Sequence, residues 1–173
     1  MIAGAMPAES RQAHEYLPAK VALLAMDFDG VLTDDRVIVA QDGTESVICS
    51  RSDGLGLGML RDAGIETVIL SAEPNSVVSA RGRKLGIPVF QGLALDGKHE
   101  TLQRFAAERD IALSDVVFIG NDVNDARCLE LAGCGVVPTD AHPDVLPLAD
   151  IVLTKRGGYG AVRELTDLIL KHR

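Results

Sequence analysis

The sequence predicts an α/β fold: a doubly wound (Rossmann-like) parallel sheet with helices on both faces, and a β-hairpin flap after the first strand. Two observations carry this. Short apolar runs at residues 21–26, 66–70, 116–119 and 151–153 stop abruptly at polar residues, as strands buried on both faces do. Helical stretches with start and stop signals alternate with them. In chain order, the run at 21–26 ends at Asp27. Residues 36–40 and 45–49 are β-branched, apolar-rich runs joined by Gln41-Asp42-Gly43-Thr44, in which Asp-Gly supplies the hairpin turn. A helix over 55–63, with Asp53 as its N-cap, is closed by Gly64; the strand at 66–70 ends in Ser71. A helix over 74–85 has Pro74 in its first turn and stops at Gly86. A helix over 98–109 precedes the strand at 116–119, and helices over 124–132 and 161–170 flank the strand at 151–153. No repeat, low-complexity segment or linker interrupts the pattern.

The chain has 173 residues, 47% of them hydrophobic, enough for one core. We read residues 20–173 as one domain and 1–19 as a tail. The tail carries Glu9, Arg11 and Glu15 and lacks the basic-then-apolar order of a secretory signal. With 17 Lys and Arg against 25 Asp and Glu, the net charge of −8 repels nucleic acid. No apolar run approaches the roughly 20 residues that cross a bilayer. Aromatic residues are 3% with no Trp, so there are no stacking platforms and a ligand must be held mainly by polar groups. Cys49, Cys128 and Cys134 form no CxxC pair and fit reduced core thiols of a cytoplasmic protein. His14, His99, His142 and His172 show no metal-ligand spacing and read as surface residues.

Ligands of open parallel sheets bind at the carboxyl ends of the strands. There the sequence places Asp27-Phe28-Asp29-Gly30-Val31-Leu32-Thr33-Asp34, Ser71, and Gly120-Asn121-Asp122-Val123-Asn124-Asp125, with Lys98 opening a helix just before. Carboxylates gathered at one edge repel one another unless a cation sits among them, and all-oxygen ligands favour Mg²⁺. Asp27, Asp29, Asp122 and Asp125 therefore predict a magnesium site.

DFDGVLTD after a buried strand, followed in order by Ser71, Lys98 and GNDVND, resembles the four motifs of the haloacid dehalogenase superfamily of phosphatases, across nearly the whole chain from about residue 20. The resemblance implies that Asp27 attacks phosphorus to form an aspartyl-phosphate. Asp29 would protonate the leaving alcohol and then activate water. It further implies that Ser71 donates to the phosphoryl oxygens and Lys98 balances their charge. Mg²⁺ would be bound by the Asp27 carboxylate, the Asp29 carbonyl and the 120–125 loop. Asn121 departs from the Asp common at its position; an amide oxygen still ligates Mg²⁺, with less charge, and Asp122 or Asp125 could share the role.

The intervals between these motifs leave no room for an inserted cap domain. The chain thus resembles the capless branch that contains the 3-deoxy-D-manno-octulosonate 8-phosphate and nonulosonate 9-phosphate phosphatases. In that branch the hairpin, here 36–49, assembles a homotetramer in which a neighbouring subunit closes each site. Glu73, Arg81 and Lys84 match the sugar-binding and neighbour-contacting residues of the nine-carbon members, and residues 70–92 also resemble the phosphatase-like domain of CMP-sialic acid synthetases. The implied substrate is a sugar acid phosphate, nine-carbon before eight-carbon.

Simpler readings stand beside these. Asp27 and Asp29 alone could belong to a turn, Ser71 alone could cap a helix, and Lys98 alone could be a solvated helix residue. Glu73, Arg81 and Lys84 could form an exposed helix face. Gly92 to His99 nearly spells a phosphate-binding P-loop, but His99 stands where Ser or Thr would bind magnesium, and Gly54 to Gly58 lacks the dinucleotide spacing. Gly157-Gly158-Tyr159-Gly160 reads as a turn rather than an anion site. A magnesium-dependent phosphatase is thus the first reading; a weakly active or non-catalytic tetramerisation module is the second, and a binder of phosphate esters without turnover the third.

Overall fold

The computed structural model describes residues 15–94 and 97–173. Six strands form one parallel sheet: β1 (Leu23–Met26), β4 (Glu66–Leu70), β5 (Val89–Phe90), β6 (Val116–Ile119), β7 (Cys134–Val137) and β8 (Ile151–Val152). Their spatial order is β5-β4-β1-β6-β7-β8. β1 pairs with β4 on one side and β6 on the other, in register Met26 to Ile69 and Met26 to Ile119. The chain moves outward from β1 through β4 to β5, then crosses to β6. The winding therefore reverses between β1 and β6, which opens a crevice at their carboxyl ends.

Alternation along β1 distributes its side chains between two cores. Leu24 and Met26 pack with Leu57, Leu60, Val78, Leu165 and Ile169, from α1 (Arg51–Asp62), α2 (Ser76–Leu85) and α5 (Ala161–His172). Leu23 and Ala25 pack on the opposite face with Leu102, Phe105, Cys128 and Leu129, from α3 (Gly97–Ala107) and α4 (Ala126–Leu131). No helix among the described residues is long and apolar enough to cross a membrane. The three cysteines are free thiols; burial pushes Cys128 and Cys134 up to about 12.

The differences from the sequence reading have local causes. Asp53 does not cap α1. The helix starts earlier, at Arg51, because the Ser50 hydroxyl accepts from the Ser52 N–H. Asp53 lies in the first turn, fully buried, and accepts from the Arg163 N–H at 2.8 Å. Gly160, the N-cap of α5, has no side chain to serve that N–H, so Asp53 serves it from another helix. Helix α2 begins at Ser76 rather than at 74, capped by Asn75. Residues Val123–Asp125 form a 3₁₀ turn ahead of α4 rather than its first turn. β5 and β7, absent from the sequence reading, are strands through their pairing with neighbours. Leu17, inside the expected tail, is buried in the core, and the His172 Nε2 lies 3.1 Å from the Pro18 carbonyl. The packed unit thus starts ahead of residue 20, and residues 1–14 of the expected tail lie outside the described residues.

The hairpin is present but its ladder is shorter than 36–40 with 45–49. β2 (Ile38–Val39) pairs antiparallel with β3 (Glu45–Ser46), and Thr33 bridges Cys49 at the base. The turn closes through the Ala40 N–H to the Thr44 carbonyl, with Gly43 at φ 84°. Val37, Ile38, Val39 and Ile48 are 50–64% exposed, an apolar surface on the flap, while Val47 and Cys49 pack against the core.

Candidate active site

Asp27 follows β1 directly, and its N–H continues the ladder to the Ile119 carbonyl at 2.9 Å. One carboxylate oxygen accepts from the Phe28 N–H at 2.7 Å; the other lies 2.8 Å from the Lys98 Nζ. Lys98, in the first turn of α3, is 1% exposed and also donates to the Asp125 Oδ1 at 2.7 Å. The second oxygen of Asp125 accepts from the N–H groups of Asn121 at 2.9 Å and Asp122 at 3.4 Å. Asp125 therefore has both oxygens committed, holding Lys98 with one and the 121–122 backbone with the other. Burial, then the neighbouring Asp125, hold the Asp27 carboxyl well above the usual carboxylate range, against the pull of Lys98. Burial also works against the charge of Lys98, but the two carboxylates outweigh it and keep its pKa above the ordinary lysine value.

Asp29 is half-buried and accepts from the Thr33 hydroxyl at 3.3 Å. Burial raises its pKa, the Thr33 hydrogen bond opposes that, and Glu73 and Asp35 add to the rise. Ser71, at the end of β4, accepts at its hydroxyl from the Glu73 N–H at 3.1 Å, which leaves the hydroxyl proton free to donate. Glu73 is fixed in turn by the Asn75 N–H at 2.8 Å, and the Asn75 amide reaches the hairpin at Glu45, also 2.8 Å.

Asp27, Asp29, Ser71, Glu73 and Asn124 thus line one open cleft of about 220 Å³ at the carboxyl edge. Arg81 and Lys84 do not reach it. They line a separate cleft of about 670 Å³ with Val47 and Cys49 of the hairpin, where the Arg81 guanidinium donates to the Ser50 carbonyl at 2.9 Å.

The residues fit a hard divalent cation. Asn121 is buried against Gly30, where an added Cβ would overlap its amide, and its Oδ1 has no hydrogen-bond partner. An unpaired amide oxygen beside an excess of buried carboxylate is a donor set for Mg²⁺. Among the described residues no group of three or more His, Cys, Asp and Glu is arranged to hold a metal, so such an ion would need amide and backbone oxygens as well.

Three parts of the site were not read from the sequence. Asn124, assigned there to a helix, lines the cleft with its Oδ1 buried and unpartnered. Thr33 contacts Asp29 across four residues. Gly157-Gly158-Tyr159-Gly160 forms a turn, yet one seated on the 30–34 backbone. The Gly158 N–H donates to the Val31 carbonyl at 3.0 Å, and an added Cβ at Gly157 would overlap the Gly30 carbonyl. Thr33 and Asn124 lie inside the first and last motifs, but what their side chains face becomes visible only in the fold, and the glycine turn acts through backbone geometry.

A family model for haloacid dehalogenase-like hydrolases matches residues 96–164. The 3-deoxy-D-manno-octulosonate 8-phosphate phosphatase of Escherichia coli (strain K12) is 35% identical over 153 residues, covering 87% of this chain and 79% of that protein. The N-acylneuraminate cytidylyltransferase A of Danio rerio is 31% identical over 155 residues; the match takes in 88% of this chain but only 36% of that longer protein. The crystal structure of a 3-deoxy-D-manno-octulosonate 8-phosphate phosphatase from Moraxella catarrhalis, in complex with a magnesium ion, a phosphate ion and a KDO molecule, superposes with a TM-score of 0.87 at 34% identity. That match covers 94% of this chain and 92% of that one.

Proposed function

The chain belongs to the haloacid dehalogenase-like hydrolases and is a phosphatase, and from that premise we propose that it hydrolyses the phosphomonoester of a 2-keto-3-deoxy sugar acid. The nine-carbon 9-phosphates come first and the eight-carbon 8-phosphate second. The observation that carries the reading is the buried Lys98 within 2.8 Å of both Asp27 and Asp125, beside Asp29 and Ser71 in one cleft.

In this reading an Asp27 oxygen attacks phosphorus as the ester P–O bond breaks, and Asp29 gives a proton to the leaving alcohol oxygen. Asp29 then takes a proton from the water that hydrolyses the aspartyl-phosphate and frees Asp27. Ser71 donates to a phosphoryl oxygen, while Lys98, fixed by Asp125, offsets the charge that gathers as phosphorus is approached. Mg²⁺ would be held by Asp27, the Asp29 carbonyl, Asn121 and Asp122, and when bound it neutralises phosphoryl charge. Asp125, with both oxygens engaged, acts through Lys98 and the loop backbone. Glu73 lines the cleft and would meet the sugar. The nine-carbon preference draws support from Glu73, Arg81 and Lys84 and from the similarity to the cytidylyltransferase.

The test is phosphate release with excess Mg²⁺ across nine-carbon 9-phosphates, the eight-carbon 8-phosphate and simple sugar phosphates, with Asp27→Asn as blank. Release from a sugar acid phosphate well above that from simple sugar phosphates is the expected result. No release above the blank from any ester would move the assembly-module reading to first place.

The chain is also proposed to form a homotetramer through the hairpin, supported by the exposed Val37, Ile38, Val39 and Ile48. A neighbouring copy would then bring Arg81 and Lys84 to the open cleft. In sedimentation, wild type should run as a tetramer and Ile38→Asp/Val39→Lys as a smaller species. The dissociated variant should show KM for the sugar acid phosphate raised at least about tenfold. A variant that remains tetrameric would remove the hairpin from the interface.

A further inference from the structure

Thr33 is fully buried, six positions beyond Asp27; it lies inside the DFDGVLTD motif, but the resemblance gives it no role there. Its backbone is fixed on three sides. Its N–H donates to the Phe28 carbonyl at 3.2 Å, it bridges Cys49 at the base of the hairpin, and Gly158 packs against its carbonyl group. The side chain is fixed more tightly still. The hydroxyl oxygen accepts from the Gly30 N–H at 3.2 Å and from the Asp35 N–H at 3.2 Å. Asp35 adopts φ 61°, a left-handed conformation uncommon for a residue other than glycine, where its N–H turns back to Thr33.

A threonine hydroxyl has two lone pairs and one proton. Two backbone N–H groups occupy both lone pairs here, so the proton has one remaining partner, the Asp29 Oδ1 at 3.3 Å. The direction of that hydrogen bond is therefore set by the backbone and not by the protonation state of Asp29.

Resting on the phosphatase reading above, we propose that Thr33 is a positioning residue that holds Asp29 Oδ1 as a permanent acceptor and so assigns proton transfer to Oδ2. When the ester P–O bond breaks, its electron pair goes to the leaving oxygen, which takes the proton from Oδ2. Asp29 is left as a carboxylate still anchored through Oδ1. Without the Thr33 hydroxyl the carboxyl group turns freely about its χ torsions, and the proton is less often where the leaving oxygen develops charge.

The test uses the demand of the leaving group for that proton. An alkoxide leaving from 3-deoxy-D-manno-octulosonate 8-phosphate, or from whichever sugar acid phosphate is turned over best, requires it. p-Nitrophenolate leaves without it. The quantity read is the ratio of kcat/KM for the alkyl ester to kcat/KM for p-nitrophenyl phosphate, since kcat/KM reports the bond-breaking step. Thr33→Val is expected to lower this ratio by about 30-fold or more, and Thr33→Ser to return it to within about threefold of wild type. Should Thr33→Val fail to fold, Thr33→Cys, of similar volume and with only a weak S–H donor, is expected to lower the same ratio. Equal losses on both esters would assign Thr33 a structural role and overturn the inference while leaving the phosphatase reading intact. Wild-type protein inactive on sugar acid phosphates would overturn that reading, and the inference with it.

Discussion

Asp27→Asn protein is expected to release phosphate at least about 10³-fold more slowly than wild type, because an amide cannot form the covalent bond to phosphorus proposed for the Asp27 carboxylate. Its fold is expected to survive, and in the absence of metal its melting temperature should equal or exceed that of wild type. Asp27 is buried beside Asp125, and burial with that neighbour raises its folded-state pKa above the unfolded value. The native state accordingly binds this proton more tightly than the unfolded chain. Metal-free stability should fall as pH rises from the unfolded value of about 3.9 up through the raised folded one. Asp27→Asn removes that slope. Melting curves in chelator across this pH range, beside phosphate release with Mg²⁺, measure both effects. Turnover by the variant comparable to wild type would exclude Asp27 as the nucleophile.

Lys98→Met should be more damaging to the fold than to any single contact. It removes the ammonium that lies 2.8 Å from Asp27 and 2.7 Å from Asp125, and leaves two buried carboxylates facing each other. Breaking a buried pair in this way costs about 3–5 kcal/mol, which for a chain of this size lowers Tm by roughly 6–20 °C. Activity should fall together with stability. Lys98→Met/Asp125→Asn separates the two effects: it is expected to recover part of the lost stability, since one unpaired charge is gone, and none of the activity. Denaturant titration of the three proteins checks this. A Lys98→Met protein as stable as wild type would contradict the mutual dependence of these charges.

Much of this arrangement was legible beforehand for a simple reason. Apolar runs that stop at Asp27, Ser71 and Gly120 mark strand ends, and a parallel sheet brings its strand ends together. The parts that escaped notice act over distance or through backbone. Cys134–Val137 has no strong strand signature of its own and becomes a strand by pairing with β6 and β8. Asp53 has the position of a cap for a helix over 55–63, whereas it lies in the first turn of α1 and its partner N–H belongs to Arg163, 110 positions later. Arg81 and Lys84 are neighbours on one helix face, as their spacing required, but that face turns toward the hairpin and away from Asp27. Lys98 looked like a solvated helix residue when taken alone, and only the fold supplies the two carboxylates that allow it to be buried.

The glycine turn at Gly157 and Gly158, pressed against the backbone of residues 30–34, ties the last quarter of the polypeptide to its first. During synthesis at about 5–20 residues per second, Asp27 is made roughly 7–26 s before Gly157. In that interval Asp27 waits in succession for Lys98, Asp125 and the turn that seats its own loop. A nascent chain on the ribosome is therefore expected to release no phosphate from phosphate esters before that turn is made. A chain released early, before residue 157, is expected to keep several of its strands and helices and still lack the enzyme.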